Sequence, residues 1–215
     1  MADFTAGPTN GVAPLTVTFT NLSSGATNYS WAFGDGHLSS NTNASNTYSN
    51  AGTYSVTLTA VGPGGTNTFT RTNYIVVVAP VVAGFTGSPT NGVAPLTVTF
   101  TNLSTGATNY SWAFGDGNLS SNANPTNTYS NPGTYSVTLT AVGPGGTNTF
   151  TRTNYIVVVA PVVAGFTGGP TNGVAPLTVT FTNLSSGATN YSWAFGDGHL
   201  SSNTNASNTY SNAGT

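Results

Sequence analysis

Apolar and polar residues alternate along several short stretches of the chain. In the first of these stretches, Leu15, Val17 and Phe19 alternate with threonines. Tyr29–Phe33 and Tyr54–Ala60 show the same two-residue period, and the stretch 66–78 ends in a run of β-branched residues. Because successive side chains of a β-strand point to opposite faces, each stretch predicts a strand with one apolar face and one hydroxyl-bearing face.

Turn signals separate these strands. They are Asn10-Gly11, Gly34-Asp35-Gly36 and Gly62-Pro63-Gly64-Gly65. No stretch has the 3.6-residue period of an amphipathic helix, so no helix is predicted. Six or seven short strands with one apolar face can bury that face only between two packed sheets. The pattern therefore predicts an all-β sandwich with Trp31 in its interior.

The pattern occurs more than once. The string GVAPLTVTFTNLS begins at Gly11, Gly92 and Gly173, so it recurs every 81 residues. Such self-similarity indicates a tandem array of modules rather than one large domain. We predict three domains, at residues 1–79, 80–160 and 161–215, which we call the first, second and third repeats. The third is predicted to stop before its last two strands.

The third repeat lacks counterparts of Tyr54–Val78. Half of its inner face would then be bare, and exposed core and unpaired strand edges are costly, so we expect it not to fold stably by itself. Three explanations remain open: the sequence is a segment of a longer array, another chain donates the missing strands, or the third repeat is an unfolded tail. We favour the first explanation. The N-terminal segment that a neighbouring chain could donate is a first strand, whereas the strands missing here are the last two.

The residues WAFGDG at 31–36 lie between APLTVTFTN and NTYSNAGTYSVTLTA, and together they resemble the PKD domain, an immunoglobulin-like β-sandwich. The family's motif is close to W-x-F-G-D-G, then Tyr, then G-x-Y-x-V-x-L. The matching positions are Trp31, Phe33, Gly34, Asp35, Gly36, Tyr48, Gly52, Tyr54, Val56 and Leu58, with Trp112 and Asp116 in the second repeat and Trp193 and Asp197 in the third. The resemblance implies tandem immunoglobulin-like sandwiches in an extracellular or cell-surface setting. It implies no reaction.

The predicted linkers are short. Ala79-Pro80 separates the strand-like Ile75–Val78 from the start of the next module. Flexible linkers need a longer Gly/Ser-rich segment. We therefore expect a semi-rigid, rod-like array in which each module adds on the order of 35 Å, at about 3.3 Å per strand residue.

Charged residues are almost absent from the chain. The 215 residues include four aspartates, Arg71 and Arg152, and no lysine, glutamate or cysteine. Two arginines cannot neutralise a row of phosphates, so we predict no nucleic-acid partner and no polybasic membrane patch. Without cysteine there is no disulfide and no thiolate metal site. The longest apolar stretch, Tyr74–Phe85, is interrupted by Pro80 and is too short to span a bilayer.

No catalytic arrangement is predicted. The aspartate of each GDG turn could be a calcium or carbohydrate ligand, but calcium takes six to eight oxygens and the loop offers one carboxylate. We interpret this aspartate as a turn residue that binds local N–H groups. His37 and His199 share a repeat position with Asn118, which argues against a required base. No Ser–His–Asp set or carboxylate pair can be assembled, so we predict no enzyme activity, cofactor or metal.

Each repeat carries three N-x-S sequons, although a chain rich in Asn, Ser and Thr generates them by chance. They are Asn21, Asn28 and Asn43, then Asn102, Asn109 and Asn118, then Asn183, Asn190 and Asn205. A nearly uncharged surface without lysine at strand edges lacks the usual protection against association. We expect either that glycans cover the array or that it self-associates into fibres, and both place it outside the cell.

Two functions are therefore predicted. The first is a non-catalytic extracellular structural array, a stalk or fibre whose partners are neighbouring copies of the same array. The alternative is a polysaccharide-binding or adhesion accessory module of a secreted or surface protein. This alternative predicts a row of exposed aromatic residues on one sheet face, for which Tyr29, Tyr48 and Tyr74 are the candidates.

Overall fold

The structure is a computed structural model that describes residues 1–214. Thr215, the last residue of the third predicted domain, lies outside the described residues. Residues 1–214 form strands, turns and bends without a helix, which confirms the predicted all-β fold. Within this part of the chain, no helix is therefore long and apolar enough to cross a membrane.

The first repeat contains eight strands in two sheets. The strands are β1 Phe4–Gly7, β2 Asn10–Val12, β3 Leu15–Asn21, β4 Asn28–Ala32, β5 Leu38–Ser39, β6 Ala44–Tyr48, β7 Gly52–Gly62 and β8 Gly65–Val78. One sheet has the order β1-β3-β6 and the other has the order β2-β8-β7-β4-β5. The alternating stretches correspond to β3, β4 and β7, whose side chains alternate between the core and the surface.

Two of these strands are too short for any alternation to predict them. β5 has two residues and pairs with β4. β2 lies at Asn10-Gly11, where the sequence indicated a turn before a strand. Its backbone pairs in parallel with β8, and Asn10 lies opposite Val76. The pairing partner is more than 60 residues away by number, so the local sequence does not reveal it.

The core of the first repeat is aromatic. Phe4, Trp31 and Tyr48 are fully buried. The ring of Phe4 meets that of Trp31 edge to face at 5.2 Å, and the ring of Phe19 lies 5.7 Å from Trp31. Such ring pairs stabilise a core beyond the area they bury. Trp31 of one sheet thus packs against two aromatic rings of the other sheet, to which Phe4 and Phe19 belong.

The outer faces carry paired threonines. The hydroxyl oxygens of Thr57 and Thr70 lie 2.9 Å apart across β7 and β8, and those of Thr59 and Thr68 lie 3.2 Å apart. Cross-strand hydrogen bonds of this kind are a recognised source of sheet stability. These faces are therefore polar but uncharged.

The second repeat has the same strand order. Its strands are β9 Phe85–Ser88, β10 Asn91–Val93, β11 Leu96–Asn102, β12 Asn109–Ala113, β13 Leu119–Ser120, β14 Thr126–Tyr129, β15 Gly133–Gly143 and β16 Gly146–Val159. The sheets have the orders β14-β11-β9 and β10-β16-β15-β12-β13. The tandem immunoglobulin-like sandwich is thereby confirmed for two repeats.

Residues 161–214, the described part of the third repeat, have five strands. They are β17 Phe166–Gly169, β18 Leu177–Asn183, β19 Trp193–Ala194, β20 Leu200–Ser201 and β21 Ala206–Tyr210. β17, β18 and β21 form one sheet, and β19 pairs only with β20. The sheet that contains β7 and β8 in the first repeat is represented here only by the pair β19-β20.

Contacts group the described residues into two compact units. The first consists of Met1–Ser88, Thr99–Asn127 and Tyr135–Tyr155, and the second of Pro89–Val98, Thr128–Thr134 and the described residues from Ile156 onward. The link from the first to the second repeat lies within the first unit. There the backbones of Val82 and Thr105 exchange hydrogen bonds of 3.0 and 2.9 Å. Val81, Ala83 and Ala141 form a small buried cluster beside them.

Two glycines of the second repeat face this link. A Cβ on Gly145 would collide with the carbonyl group of Ala79, and one on Gly106 would lie 2.7 Å from the carbonyl oxygen of Pro80. Their counterparts in the first repeat, Gly64 and Gly25, have no atom within 4 Å of such a Cβ. The link therefore packs directly against loops of the second repeat.

Candidate functional site

The W-x-F-G-D-G segment forms a tight loop at the end of β4. The indole Nε1 of Trp31 donates a 2.8 Å hydrogen bond to the carbonyl oxygen of Asn41. Gly34 and Gly36 have positive φ angles of 84° and 96°, which other residues rarely adopt. A Cβ on Gly34 would also press against the carbonyl oxygen of Ser55. These constraints hold Asp35 in a fixed position between the two glycines.

The carboxylate of Asp35 binds donors from its own loop and from β6. One oxygen accepts the backbone N–H of His37 at 3.1 Å. The other accepts the side-chain amide of the buried Asn46 at 2.6 Å and lies 3.1 Å from Nδ1 of His37. We call this arrangement the GDG clamp. Both carboxylate oxygens are engaged within it, and the described residues contain no cluster of three or more His, Cys, Asp or Glu side chains suited to a metal.

The clamp lowers the pKa of Asp35 and of Asp197. Burial alone would raise the pKa of Asp35, but the hydrogen bonds from Asn46 and His37 outweigh it and hold that pKa below its usual value. In the third repeat, the hydrogen bond from Asn208 lowers the pKa of Asp197 to about 2. Burial raises the pKa of Tyr48, beside the clamp, to about 12. These aspartates remain ionised at neutral pH and are poorly suited to accept a proton.

The second repeat has an asparagine in place of the histidine. Its Asn118 amide nitrogen donates to Asp116 at 3.0 Å and to the side-chain oxygen of Asn127 at 3.0 Å. The backbone N–H of Asn118 also donates to Asp116, at 3.0 Å. The amide therefore supplies the same contacts to the aspartate as the imidazole does, which is a structural reason why both residues occur at this position.

The nine sequon asparagines occupy four kinds of position, of which Asn118, in the GDG loop of the second repeat, is one. Asn28, Asn109 and Asn190 are exposed at the start of β4, at the start of β12, and just before β19. Asn21, Asn102 and Asn183 are half-buried, and each accepts a 2.9 Å hydrogen bond from the backbone two residues later. Asn43 and Asn205 are exposed and accept the backbone N–H of Asn21 and Asn183 at 2.9 Å. Only at Asn118 among the nine is the amide nitrogen, the atom a glycan would occupy, shown donating hydrogen bonds.

The predicted row of exposed tyrosines is wrong at Tyr48. This residue is fully buried, and its hydroxyl donates to the carbonyl oxygen of Phe33 at 3.1 Å. Tyr29 and Tyr74 are half-buried, and their hydroxyls bind the backbone of Ala26 and Ala6. Tyr48 lies on the inward side of β6 together with Asn46, an alternation that the polar composition of this strand obscures.

Sequence analysis did not identify the surroundings of Arg71, which lies on the inner side of β8. Its Nε donates a 3.0 Å hydrogen bond to the carbonyl oxygen of Phe4. Its guanidinium carbon lies 5.0 to 5.4 Å from the ring centres of Tyr74, Phe69 and Phe4. One terminal nitrogen lies 3.5 Å from the carboxylate of Asp3. Arg152 has the same position in the second repeat.

A β-bulge between β7 and β8 orients the side chain of Arg71. The register between β7 and β8 shifts after Tyr54, and Asn73 adopts a positive φ of 51°. Its backbone N–H donates to the hydroxyl of Ser55 at 2.9 Å. Bulges commonly redirect side chains in this way. The only sequence signal is the recurrence of Arg-Thr-Asn-Tyr in both full repeats.

The third repeat exposes the aromatic residues that the first two bury. Phe4 and Phe85 are 0% and 1% exposed, whereas Phe166 is 64% exposed. Trp193 and Phe195 are half-buried. Two open grooves of about 750 and 560 Å³ border these rings. The grooves occupy the side on which β7 and β8 cover the core of the first repeat.

Comparison with known proteins identifies the modules. The family model described as PKD domain matches residues 3–77 and 77–158. The PKD1 domain of Vibrio anguillarum Epp is 36% identical over 37% of this chain and 95% of that one, with a TM-score of 0.32. The PKD1 domain of the Vibrio cholerae metalloprotease PrtV is 35% identical over 36% of this chain and 98% of that one, with a TM-score of 0.31.

Proteins with PKD domains carry them as extracellular or surface modules that are generally non-catalytic. The match covers both complete repeats, including the W-x-F-G-D-G loop and the strands on either side of it. The chain therefore belongs to the PKD domain family and contains two consecutive PKD domains.

Proposed function

We propose that the chain is a non-catalytic, extracellular structural array that forms a stalk or fibre. The observation that supports this proposal best is the packed link between the first two repeats. Ala79 and Pro80 touch Gly145 and Gly106, and Val82 is hydrogen-bonded to Thr105. A two-residue link that packs against loops of the second repeat restricts rotation between the modules, as an extended spacer requires.

The surface supports association between copies. Leucine is strongly exposed at the same position of every repeat: Leu38, Leu119 and Leu200 are 74%, 75% and 76% exposed. Each lies in a two-residue strand at a sheet edge. Edge strands without charged side chains are prone to pair with other chains. We therefore propose self-association along this edge.

Small-angle scattering of the full chain tests the extended arrangement. A stalk gives a long, skewed distance distribution, whereas a compact distribution contradicts the proposal. Sedimentation at increasing concentration tests association. The triple variant Leu38→Thr, Leu119→Thr, Leu200→Thr should lower the associated fraction without changing the far-ultraviolet spectrum. If the variant associates as the parent chain does, the leucine edge is not the contact.

Glycosylation is proposed for the sequons other than Asn118. An N-glycan is attached through the asparagine amide nitrogen. In Asn118 this nitrogen donates hydrogen bonds to Asp116 and Asn127. Peptide mass mapping of the natively secreted protein should therefore find Asn109 occupied and Asn118 unoccupied within the second repeat. A glycan on Asn118 contradicts this assignment.

A further inference from the structure

We propose that Arg152 and Phe150 form a binding site for a carboxylate-bearing sugar, such as a hexuronate residue of an acidic polysaccharide. The site lies on β16 of the second repeat. It adds a ligand to the structural role proposed above and does not depend on that role. The inference comes from one difference between two nearly identical repeats.

In the first repeat, an internal carboxylate already occupies the equivalent site. Asp3 lies 3.5 Å from a terminal nitrogen of Arg71. The second repeat has Gly84 at the position of Asp3, and no described acidic group lies within ion-pair distance of Arg152. Asp3 thus shows that a carboxylate fits beside this guanidinium. Gly84 has no side chain that could fill the corresponding position beside Arg152.

The guanidinium of Arg152 is held in position. Its Nε donates to the carbonyl oxygen of Phe85 at 3.1 Å. Its carbon lies 4.9 Å from the ring centre of Tyr155, 5.5 Å from that of Phe150 and 5.7 Å from that of Phe85. Asn154 has a positive φ of 53°, as Asn73 does in the first repeat, and its backbone N–H donates to the hydroxyl of Ser136 at 3.0 Å. Because little side-chain freedom remains to be lost on binding, a planar carboxylate can dock at low entropic cost.

The local charge also favours an anion. Arg152 is the only cation of the second repeat, and Asp116 is its only acid. Asp116 is engaged in its own clamp with Asn118 and Asn127. The positive charge of Arg152 is therefore not neutralised by the described side chains around it.

Phe150 provides the apolar half of the site. Its side chain is 36% exposed and lies beside the guanidinium of Arg152. A pyranose ring offers C–H groups that pack on an aromatic face, and a uronate carries its carboxylate on that same ring. A guanidinium beside an exposed phenyl ring matches both features, as expected for a ligand site with one polar anchor.

The chain itself provides matched variants. A Cβ on Gly84 would meet its nearest atoms at 3.8 Å, which is ordinary contact, so Gly84→Asp fits. This variant reproduces the first repeat and should close the site. Asp3→Gly reproduces the second repeat and should open an equivalent site at Arg71. Arg152→Gln removes the guanidinium itself.

The experiment is a nuclear magnetic resonance titration of the full chain with oligogalacturonate, using neutral galactose oligomers and sodium acetate as comparison probes. We expect shifts at the Arg152 side-chain N–H and the Phe150 ring, with a Kd on the order of 1 mM for the uronate. Gly84→Asp should weaken binding by about tenfold or more, and Asp3→Gly should add shifts at Arg71.

Several outcomes overturn the inference. One is unchanged uronate binding in Gly84→Asp or Arg152→Gln. Another is acetate binding as tightly as uronate, which would mean that the sugar contributes nothing. A third is a shift of Arg152 that follows protein concentration alone, which would mean that a carboxylate of a second copy fills the site. None of these readouts depends on whether the array is a stalk.

Discussion

The first and third repeats provide a direct comparison, because residues 169–215 repeat residues 7–53 letter for letter. Strand β3 and its counterpart β18 both have seven residues, and β6 and β21 both have five. By contrast, β4 has five residues and its counterpart β19 has two, and the counterpart of β2 is not a strand. Identical sequence thus gives a strand only where a pairing partner exists.

The loop between the sheets behaves differently from the strands. In the third repeat, Asp197 still accepts the amide of Asn208 at 2.6 Å and the backbone N–H of His199 at 3.0 Å. The indole of Trp193 still donates to the carbonyl oxygen of Asn203 at 2.8 Å. The GDG clamp is therefore local, whereas the sheet of β4 depends on β7 and β8.

The largest effect is expected from supplying the missing partner. A chain extended after Thr215 with a second copy of the sequence Tyr135–Val159 should bury Trp193 as Trp31 is buried. We expect the third repeat to gain on the order of 5 kcal/mol of unfolding free energy, a typical value for a small domain. Fluorescence of Trp193, in a background with Trp31→Phe and Trp112→Phe, measures this. An extension with the same residues in scrambled order is the control and should leave the emission of a half-exposed indole.

The next effect is a contrast between two equivalent tryptophans. Trp31→Ala should destabilise the first repeat by about 3–5 kcal/mol, because it removes a fully buried ring. Trp193→Ala should cost much less, since its indole is only half-buried. Denaturant unfolding followed by hydrogen exchange of each repeat separates the two. Equal losses would show that the third repeat is as well packed as the first.

A smaller effect is expected where one repeat meets the next. Gly145→Val should push against Ala79 and cost about 1–3 kcal/mol, as overpacking does. Gly64→Val is the matched control, because nothing lies within 4 Å of its Cβ position. Elastase cleavage within the link, at residues 81–83, should accelerate in the first variant only. Similar rates in both variants would mean that the packed link does not persist in solution.

The smallest effect concerns the clamp, which the two repeats share. The pKa values of Asp35 and Asp197 are lowered in the folded chain, for Asp197 to about 2. Their ionised forms therefore stabilise the clamp above the unfolded pKa of about 3.9, and this contribution is lost as pH falls through the folded value. Carboxylate titration by nuclear magnetic resonance should place both midpoints below 3.9. A midpoint at or above that value for Asp197 contradicts the described hydrogen bonds.

Sequence patterns predicted the features that depend on local alternation. The inward parity of Trp31 and Phe33 follows from the two-residue period of β4, and both side chains are buried. The turn at Pro63-Gly64 joins β7 and β8 as its residues indicated. The 81-residue period predicted the tandem architecture, which the two complete sandwiches confirm.

The features that escaped prediction depend on partners distant in sequence. Asn46 is a polar residue whose type favours the surface, yet it is buried on the inward side of β6, where Asp35 accepts its amide. The position of Arg71 depends on a bulge and on the carbonyl group of Phe4, 67 residues away. Such contacts follow from pairing register, which composition and period do not specify.

The threonine pairs on the outer faces have a consequence for the medium in which the array works. Hydroxyl groups that bind one another, such as those of Thr57 and Thr70, carry no net charge and have nothing to titrate near neutrality. With six charged side chains in 215 residues, dissolved ions have little to screen. Charge screening should therefore change the stability of these faces little as ionic strength rises.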